Sequence, residues 1–98
     1  MGLRVRAPVL PKPTPTILDP AHRILADLIK ALRLEFGQTQ VDLAARLGVS
    51  QSYVSKLESG ELRVDLIEAR ALSEALGLSL GALVERLEAR IGEARDAT

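Results

Sequence analysis

Ninety-eight residues carrying thirteen basic and thirteen acidic side chains are enough for one small domain and too few for two, with no net charge to hold it on a polyanion indiscriminately. Cysteine is absent and histidine occurs once, as His22, which excludes a disulfide framework, a thiolate zinc site and a histidine metal cluster. Hydrophobic residues make up 47% of the chain but aromatic ones only 2%, so a core must come from Leu, Val, Ile and Ala, as in small packed helices. No apolar run reaches the roughly 18 residues of a membrane span. Prolines interrupt the N-terminal stretch where a signal-peptide core would lie. The location expected is cytoplasmic and nucleoid-associated, with no membrane partner.

Residues 1–18, MGLRVRAPVLPKPTPTIL, hold four of the five prolines. Each pushes the residue before it away from helix, so a disordered or polyproline-like arm is predicted. Three roles stay open for it: a floppy terminus; a basic arm touching DNA through Arg4, Arg6 and Lys12; or a strand docked on a partner through Leu3, Val5, Val9 and Leu10.

Asp19-Pro20 is a helix start, a capping carboxylate followed by proline at the first helical position. The helix runs to about Phe36 and stops at Gly37, with Leu25, Ile29, Leu32 and Phe36 as one buried stripe. Leu28 widens that stripe, Leu34 falls off it, and His22 reads as a surface residue. Gln38 in the connector is expected to loosen the packing of the second helix.

Thr39 opens that second helix in a capping box with Asp42. Val41, Leu43, Ala44, Ala45 and Leu47 give it an apolar side, and Gly48 ends it. Ser50 caps a third helix whose Val54 and Leu57 face inward and whose other face carries Gln51, Ser52, Tyr53, Ser55 and Lys56. Gly60 closes it. Asp65 and Glu68 form a second capping box, Leu66, Ala69, Leu72 and Leu76 give the fourth helix its inner stripe, and Gly77 stops it. Ser79 starts a fifth. Its seam of Leu80, Leu83, Val84, Leu87 and Ile91 is longer than a small core needs. Leu80 and Leu83 are assigned to the core, and Leu87 and Ile91 to contact with a second subunit, against the alternative of an over-long helix fraying at Gly92. The predicted organisation is an arm over 1–18, one domain over 19–91 and a frayed tail over 92–98.

The outward face of the third helix is the informative surface, because nearly every side chain on it forms hydrogen bonds. An amide pairs a donor and an acceptor with the N7 and N6 edge of adenine, hydroxyls reach bases or phosphates, and lysine reaches guanine or the backbone. Tyr53 either reaches the groove or covers the edge of its own core. Taken alone, such a face is also what many solvent-exposed helices present.

The pair of helices adds the decisive context. The run TQVDLAARLGVSQSYVSKLESG over Thr39–Gly60, within helical flanks from about Ala21 to Leu87, resembles the helix-turn-helix of the lambda-repressor and Cro-like, or Xre-type, family. The resemblance implies an all-α, compact five-helix lambda-repressor-like domain. It implies that Gln40 makes a DNA backbone contact beside Thr39 at the N-terminus of the second helix, and that Gln51 and Ser52 head the recognition surface. It also implies a buried ion pair between Arg33 and Glu58, and a loop beside the DNA backbone in which Arg63 is a candidate phosphate contact.

The DNA-binding set is therefore Thr39, Gln40, Ser50, Gln51, Ser52, Tyr53, Ser55, Lys56 and Arg63. The function expected is sequence-specific binding to double-stranded DNA, as a repressor that occludes promoters as a homodimer on a palindromic operator. The alternative is an antitoxin that binds DNA and a partner toxin. No cofactor or metal is expected. No catalytic triad, phosphate-cradling glycine loop or dinucleotide fingerprint is present to suggest an enzyme.

Overall fold

Every helix start among the described residues is built around a side chain that closes an open backbone group. The computed structural model describes residues 19–96, in which α1 spans Pro20–Glu35, α2 Gln40–Leu47, α3 Gln51–Ser59, α4 Leu66–Ala75 and α5 Leu80–Asp96, with no strand among the described residues. Asp19 accepts from the N–H groups of Ala21 and His22 at the head of α1. Thr39 with Asp42, and Asp65 with Glu68, form reciprocal capping boxes on α2 and α4. Ser50 Oγ accepts from Tyr53 N and Ser79 Oγ from Ala82 N. These short polar side chains satisfy donors that a helix leaves open at its start, so the boundaries are written locally.

The core forms where α1 meets everything else. Leu28 and Leu32 on α1 pack with Leu43 and Ala44 of α2, Val54 of α3, Leu76 just beyond α4 and Leu83 of α5. Ile29, turned one step round α1, packs instead with Leu57 and Leu72. α1 lies against α3 and α5, α2 against α3 and α4, and α4 against α5. The result is an all-α, five-helix domain. No described helix is long and apolar enough to cross a membrane.

Several apolar assignments move. Phe36 is 48% exposed instead of closing the α1 stripe, because it sits past the last helical residue with its ring over Gly77. Val41 is 63% exposed: at 3.6 residues per turn it lies about 110° round α2 from the line between buried Leu43 and Ala44. Leu66 is 67% exposed, because it occupies the first position of α4 and side chains there lean back past the helix end. Gln38 meets the end of α4 where loosening was expected, although its own Oε1 has no partner among the described residues. It is buried, its Nε2 donates to Ala75 O at 3.2 Å, and so it stitches the α1–α2 connector to the end of α4.

The tail assignment also changes. α5 continues through Gly92 to Asp96, so residues 92–96 are helical where a frayed tail was expected. Leu87 is partly buried against its own core, and Ile91 lies with Pro20, Ala21 and Ile24 of α1. Both side chains are only partly buried, so each keeps surface open to a second subunit. The predicted arm over 1–18 lies outside the described residues.

Gly48 and Gly77 hold positive φ angles of 70° and 75° at the ends of α2 and α4. A Cβ at Gly48 would meet nothing, whereas one at Gly77 would come within 2.6 Å of the Phe36 ring. That ring is half exposed and free to turn outward, so the left-handed backbone dominates at both sites. Gly48→Ala and Gly77→Ala are each expected to lower stability by about 1–2 kcal/mol in urea denaturation. A much larger loss for Gly77→Ala would mean that the ring cannot move aside.

Candidate nucleic-acid interface

The turn between α2 and α3 is short because Gly48 reverses the chain in a left-handed conformation and Ser50, two residues later, caps the next helix. α3 buries Val54 and Leu57 fully, and this fixes its rotation about its own axis. Gln51, Ser52, Ser55 and Lys56 are consequently exposed. Ser50 is exposed as well, but its hydroxyl already accepts from Tyr53 N.

The outer face of α3 and the start of α2 join into one surface through a direct bond. Gln51 Nε2 donates to Gln40 Oε1 at 2.6 Å, and Gln40 Nε2 donates to Glu58 Oε1 at 3.2 Å. Behind it, Arg33 donates from Nε to Glu58 Oε2 at 2.6 Å and from Nη2 to Glu58 Oε1 at 3.0 Å. Arg33 Nη1 also donates to Gln38 O at 2.8 Å. Arg33 and Glu58 are both 6% exposed. Hydrogen bonding to Glu58 raises the Arg33 pKa, and the nearby negative charge adds to this, while burial works against it.

At the head of α2, Thr39 Oγ1 accepts from Asp42 N and Thr39 N donates to Asp42 Oδ2. These bonds hold the Asp42 carboxyl below its ordinary pKa, the backbone bond from Thr39 contributing most and Arg46 adding a smaller attraction. The first turn thus carries a carboxylate on the surface where an anion would have to approach. An anion there is met by the Gln40 amide and outward N–H groups, with Asp42 opposing them.

Tyr53 takes the second of its two predicted roles. Its ring lines an apolar cleft with Leu47, Val49, Leu57, Ala71 and Leu72, and its hydroxyl donates to Glu68 Oε2 at 2.7 Å. The phenol is thereby tied to α4 at the edge of the chain's own core. Arg63 is exposed in the loop between α3 and α4, as is Glu61, whose carboxylate accepts from Ser59 Oγ at 2.6 Å.

Two α1 side chains hold α3 and the loop after it in ways that sequence reasoning missed. Arg23 donates from Nη1 to Ser59 O at 2.7 Å and from Nη2 to Glu58 O at 2.8 Å, tying off the open carbonyls at the end of α3. His22, read as a surface residue, is part-buried and its Nε2 bonds the carbonyl of Leu62. Neither contact has a local signature, since the partners lie 36 and 40 residues away. No group of three or more potential metal ligands occurs among the described residues.

This arrangement, two helices in a tight turn with a solvent-facing polar helix, matches a known family. The helix-turn-helix family profile aligns with residues 29–83, more than half the chain. The chain belongs to the Xre-type helix-turn-helix family of DNA-binding regulators. An uncharacterised HTH-type transcriptional regulator of Sinorhizobium fredii is 45% identical over 58 residues, covering 59% of this chain and 75% of that protein. The candidate antitoxin HigA3 of Mycobacterium tuberculosis is 46% identical over 74 residues, covering 74% of this chain and 60% of that protein.

Among solved structures, an XRE-family like protein from Pseudomonas syringae superposes with a TM-score of 0.64 at 43% identity, covering 70% of this chain and 84% of the other. The restriction-modification controller protein C.Esp1396I gives a TM-score of 0.71 at 25% identity, covering 76% and 97%. That controller protein has also been solved as a tetramer on its natural 35 base-pair operator.

The ion pair and the tyrosine each make a measurable claim. Arg33→Met leaves a buried, poorly compensated carboxylate and is expected to cost about 3–5 kcal/mol in urea denaturation. Replacing both partners with apolar residues of similar size is expected to recover most of that loss.

Tyr53 is the chain's single tyrosine, so its ionisation can be followed directly by ultraviolet absorbance. The bond to Glu68, then burial, then the charges of Glu68 and Asp65 raise its pKa above the ordinary 10.0. In the folded protein the phenol therefore holds its proton longer than in the unfolded chain. Its contribution to stability is complete below pH 10.0 and is lost as pH rises through the folded-state value. Glu68→Gln is expected to move the titration midpoint down towards the ordinary value. An unchanged midpoint would mean that the Tyr53–Glu68 bond is not made in solution.

Proposed function

We propose that this protein is a sequence-specific double-stranded-DNA regulator that represses transcription by occluding promoters, acting as a homodimer on a palindromic operator. The observation that carries this reading is the single surface made by α3 and the head of α2, where the Gln51–Gln40 bond joins an exposed run of amide, hydroxyl and ammonium groups. α3 lies in the major groove, with Gln51, Ser52, Ser55 and Lys56 towards base edges. Thr39 and Gln40 meet a phosphate, Ser50 sits at the groove entrance, and Arg63 approaches the backbone from the α3–α4 loop. Tyr53 supports α3 from behind.

Zero net charge suits such a role. Few phosphates are neutralised, non-specific binding is weak, and selectivity rests on the groove contacts. Two copies are needed because one nine-residue helix spans only a few base pairs. The apolar surface suited to pairing copies runs from Leu87 and Ile91 on α5 to the meeting of α4 and α5. There Leu66 and Ile67 are 67% and 73% exposed and Val84 is 44% exposed. Leu66 and Val84 line one groove with Leu80 and Leu87.

Fluorescence anisotropy with DNA from upstream of the gene, against scrambled DNA across a salt series, tests the proposal. Nanomolar, selective binding at a stoichiometry of two chains per site is expected. Gln51→Ala should cost about 1–3 kcal/mol on the cognate site and relax preference at one base pair, while Lys56→Ala, if that ammonium meets phosphate, should lower the salt slope by about 1. Undiminished binding by a folded Gln51→Ala variant would displace α3 from the groove.

The similarity to HigA3 over 74% of the chain favours a second reading, an antitoxin that binds DNA and also neutralises a toxin. Co-purification of a small toxic protein encoded beside this gene would separate it from a lone repressor.

A further inference from the structure

A chain of four side chains runs from the buried interior of the α1–α3 contact to the exposed tip of α3. Arg33 and Glu58 are each 6% exposed, Gln40 is half-buried and Gln51 is exposed. Arg33 Nη2 donates to Glu58 Oε1, which also accepts from Gln40 Nε2; Gln40 Oε1 in turn accepts from Gln51 Nε2. Resting on the placement of α3 in the major groove proposed above, we infer that Glu58 is a positioning residue for sequence reading. Its carboxylate sets the direction in which the Gln51 amide faces a base pair.

The reasoning is one of polarity. A primary amide has nearly the same shape either way round, but one end donates and the other accepts. An ionised carboxylate only accepts, so the end of Gln40 that faces Glu58 must be its NH₂ group. The carbonyl oxygen of Gln40 then faces outward, and only a donor can meet it. Gln51 must therefore turn its own NH₂ group towards Gln40. This leaves the Gln51 oxygen and its second N–H for the DNA, in a fixed order.

The order matters because base edges are themselves ordered. Adenine shows an N7 acceptor beside an N6 donor, whereas guanine shows two acceptors, N7 and O6. A Gln51 amide held in one sense matches one of these patterns and opposes others. An amide able to turn over adapts to several. Arg33 contributes by holding the carboxylate in place from two nitrogens at 2.6 and 3.0 Å. A pair that looks purely structural thereby reaches the protein surface through two hydrogen bonds.

Glu58→Gln tests this, because the replacement keeps the shape and can turn either end towards Gln40. Gln40→Ala is the companion variant: it removes the middle link at a half-buried position and leaves the ion pair whole. Leu83→Ala, in α5, serves as a control that lowers stability without touching the four side chains. Binding of the intact proteins to an operator and its single-base-pair variants is measured where circular dichroism shows each protein folded.

The expected result is that Glu58→Gln and Gln40→Ala lower the preference at one base pair by about tenfold, the same pair that Gln51→Ala affects. Preferences at the other positions should hold, and Leu83→Ala should keep all of them. Unchanged preference in Glu58→Gln, or a uniform loss that tracks stability and appears equally in Leu83→Ala, would overturn the inference.

The side-chain amide resonances of Gln40 and Gln51 give a readout that needs no DNA. They are expected to shift together in Glu58→Gln and to stay in place in Leu83→Ala. Wild-type protein that bound no DNA selectively would defeat the groove placement and the reading role together. The amide resonances would still decide whether Glu58 orients Gln51, and shifts confined to Gln40 would show that it does not.

Discussion

The buried pair of Arg33 and Glu58 is the constraint on which the rest of the domain depends. Removing two charges from water is costly, and the loss is offset only when the geometry is good and further hydrogen bonds reach the polar atoms of both partners. Here the requirement is met by two contacts between the guanidinium and the carboxylate, by the Gln38 carbonyl and by the Gln40 amide. Satisfying all of them fixes the distance between α1 and α3, the path of the α1–α2 connector and the start of α2. An apolar pair could fill the same space with fewer geometric demands. The polar pair adds a defined register between helices, which is the quality a reading surface needs.

α3 shows why such constraint is needed. Nine residues are too few for a stable isolated helix, so its position comes from its neighbours. Val54 and Leu57 set its rotation, Arg23 closes its final carbonyls, and the Tyr53–Glu68 bond ties its first turn to α4. Glu68 accepts at the same time from Asp65 N, so the group that steadies α3 also forms the cap of α4. The exposed side chains of α3 are held by a frame attached at three sides, while carrying little structural duty themselves.

Membership of the Xre-type family and this frame agree on a protein whose polar surface is held in one geometry. Charge supports the same view. A neutral domain gains little from a polyanion as such, so in the proposed reading of DNA selectivity rests on how well a few groups on α3 and the head of α2 are aimed. The amide chain from Glu58 to Gln51 is one physical means of aiming them.

Helix boundaries, family and the polar face of α3 were legible in the sequence, because caps and apolar spacing are local signals. Thr39 with Asp42, Ser50, and Asp65 with Glu68 close backbone groups within three residues, so no distant partner is required to recognise them. The pairing of Arg33 with Glu58 was reachable only through family resemblance, since nothing local links residues 25 apart. Tertiary structure alone decided the rest. It exposed Phe36 and Leu66 because they sit at helix ends, and Val41 because it lies off the buried line of α2, although helical spacing suggested burial for all three. It turned Tyr53 to α4, put His22 and Arg23 to work on α3 and its following loop, and made buried Gln38 a stitch between helices. The physical reason is common to all of these. A cap is settled within one turn of chain, whereas the partner of a long side chain is settled only when separate helices come to rest against each other.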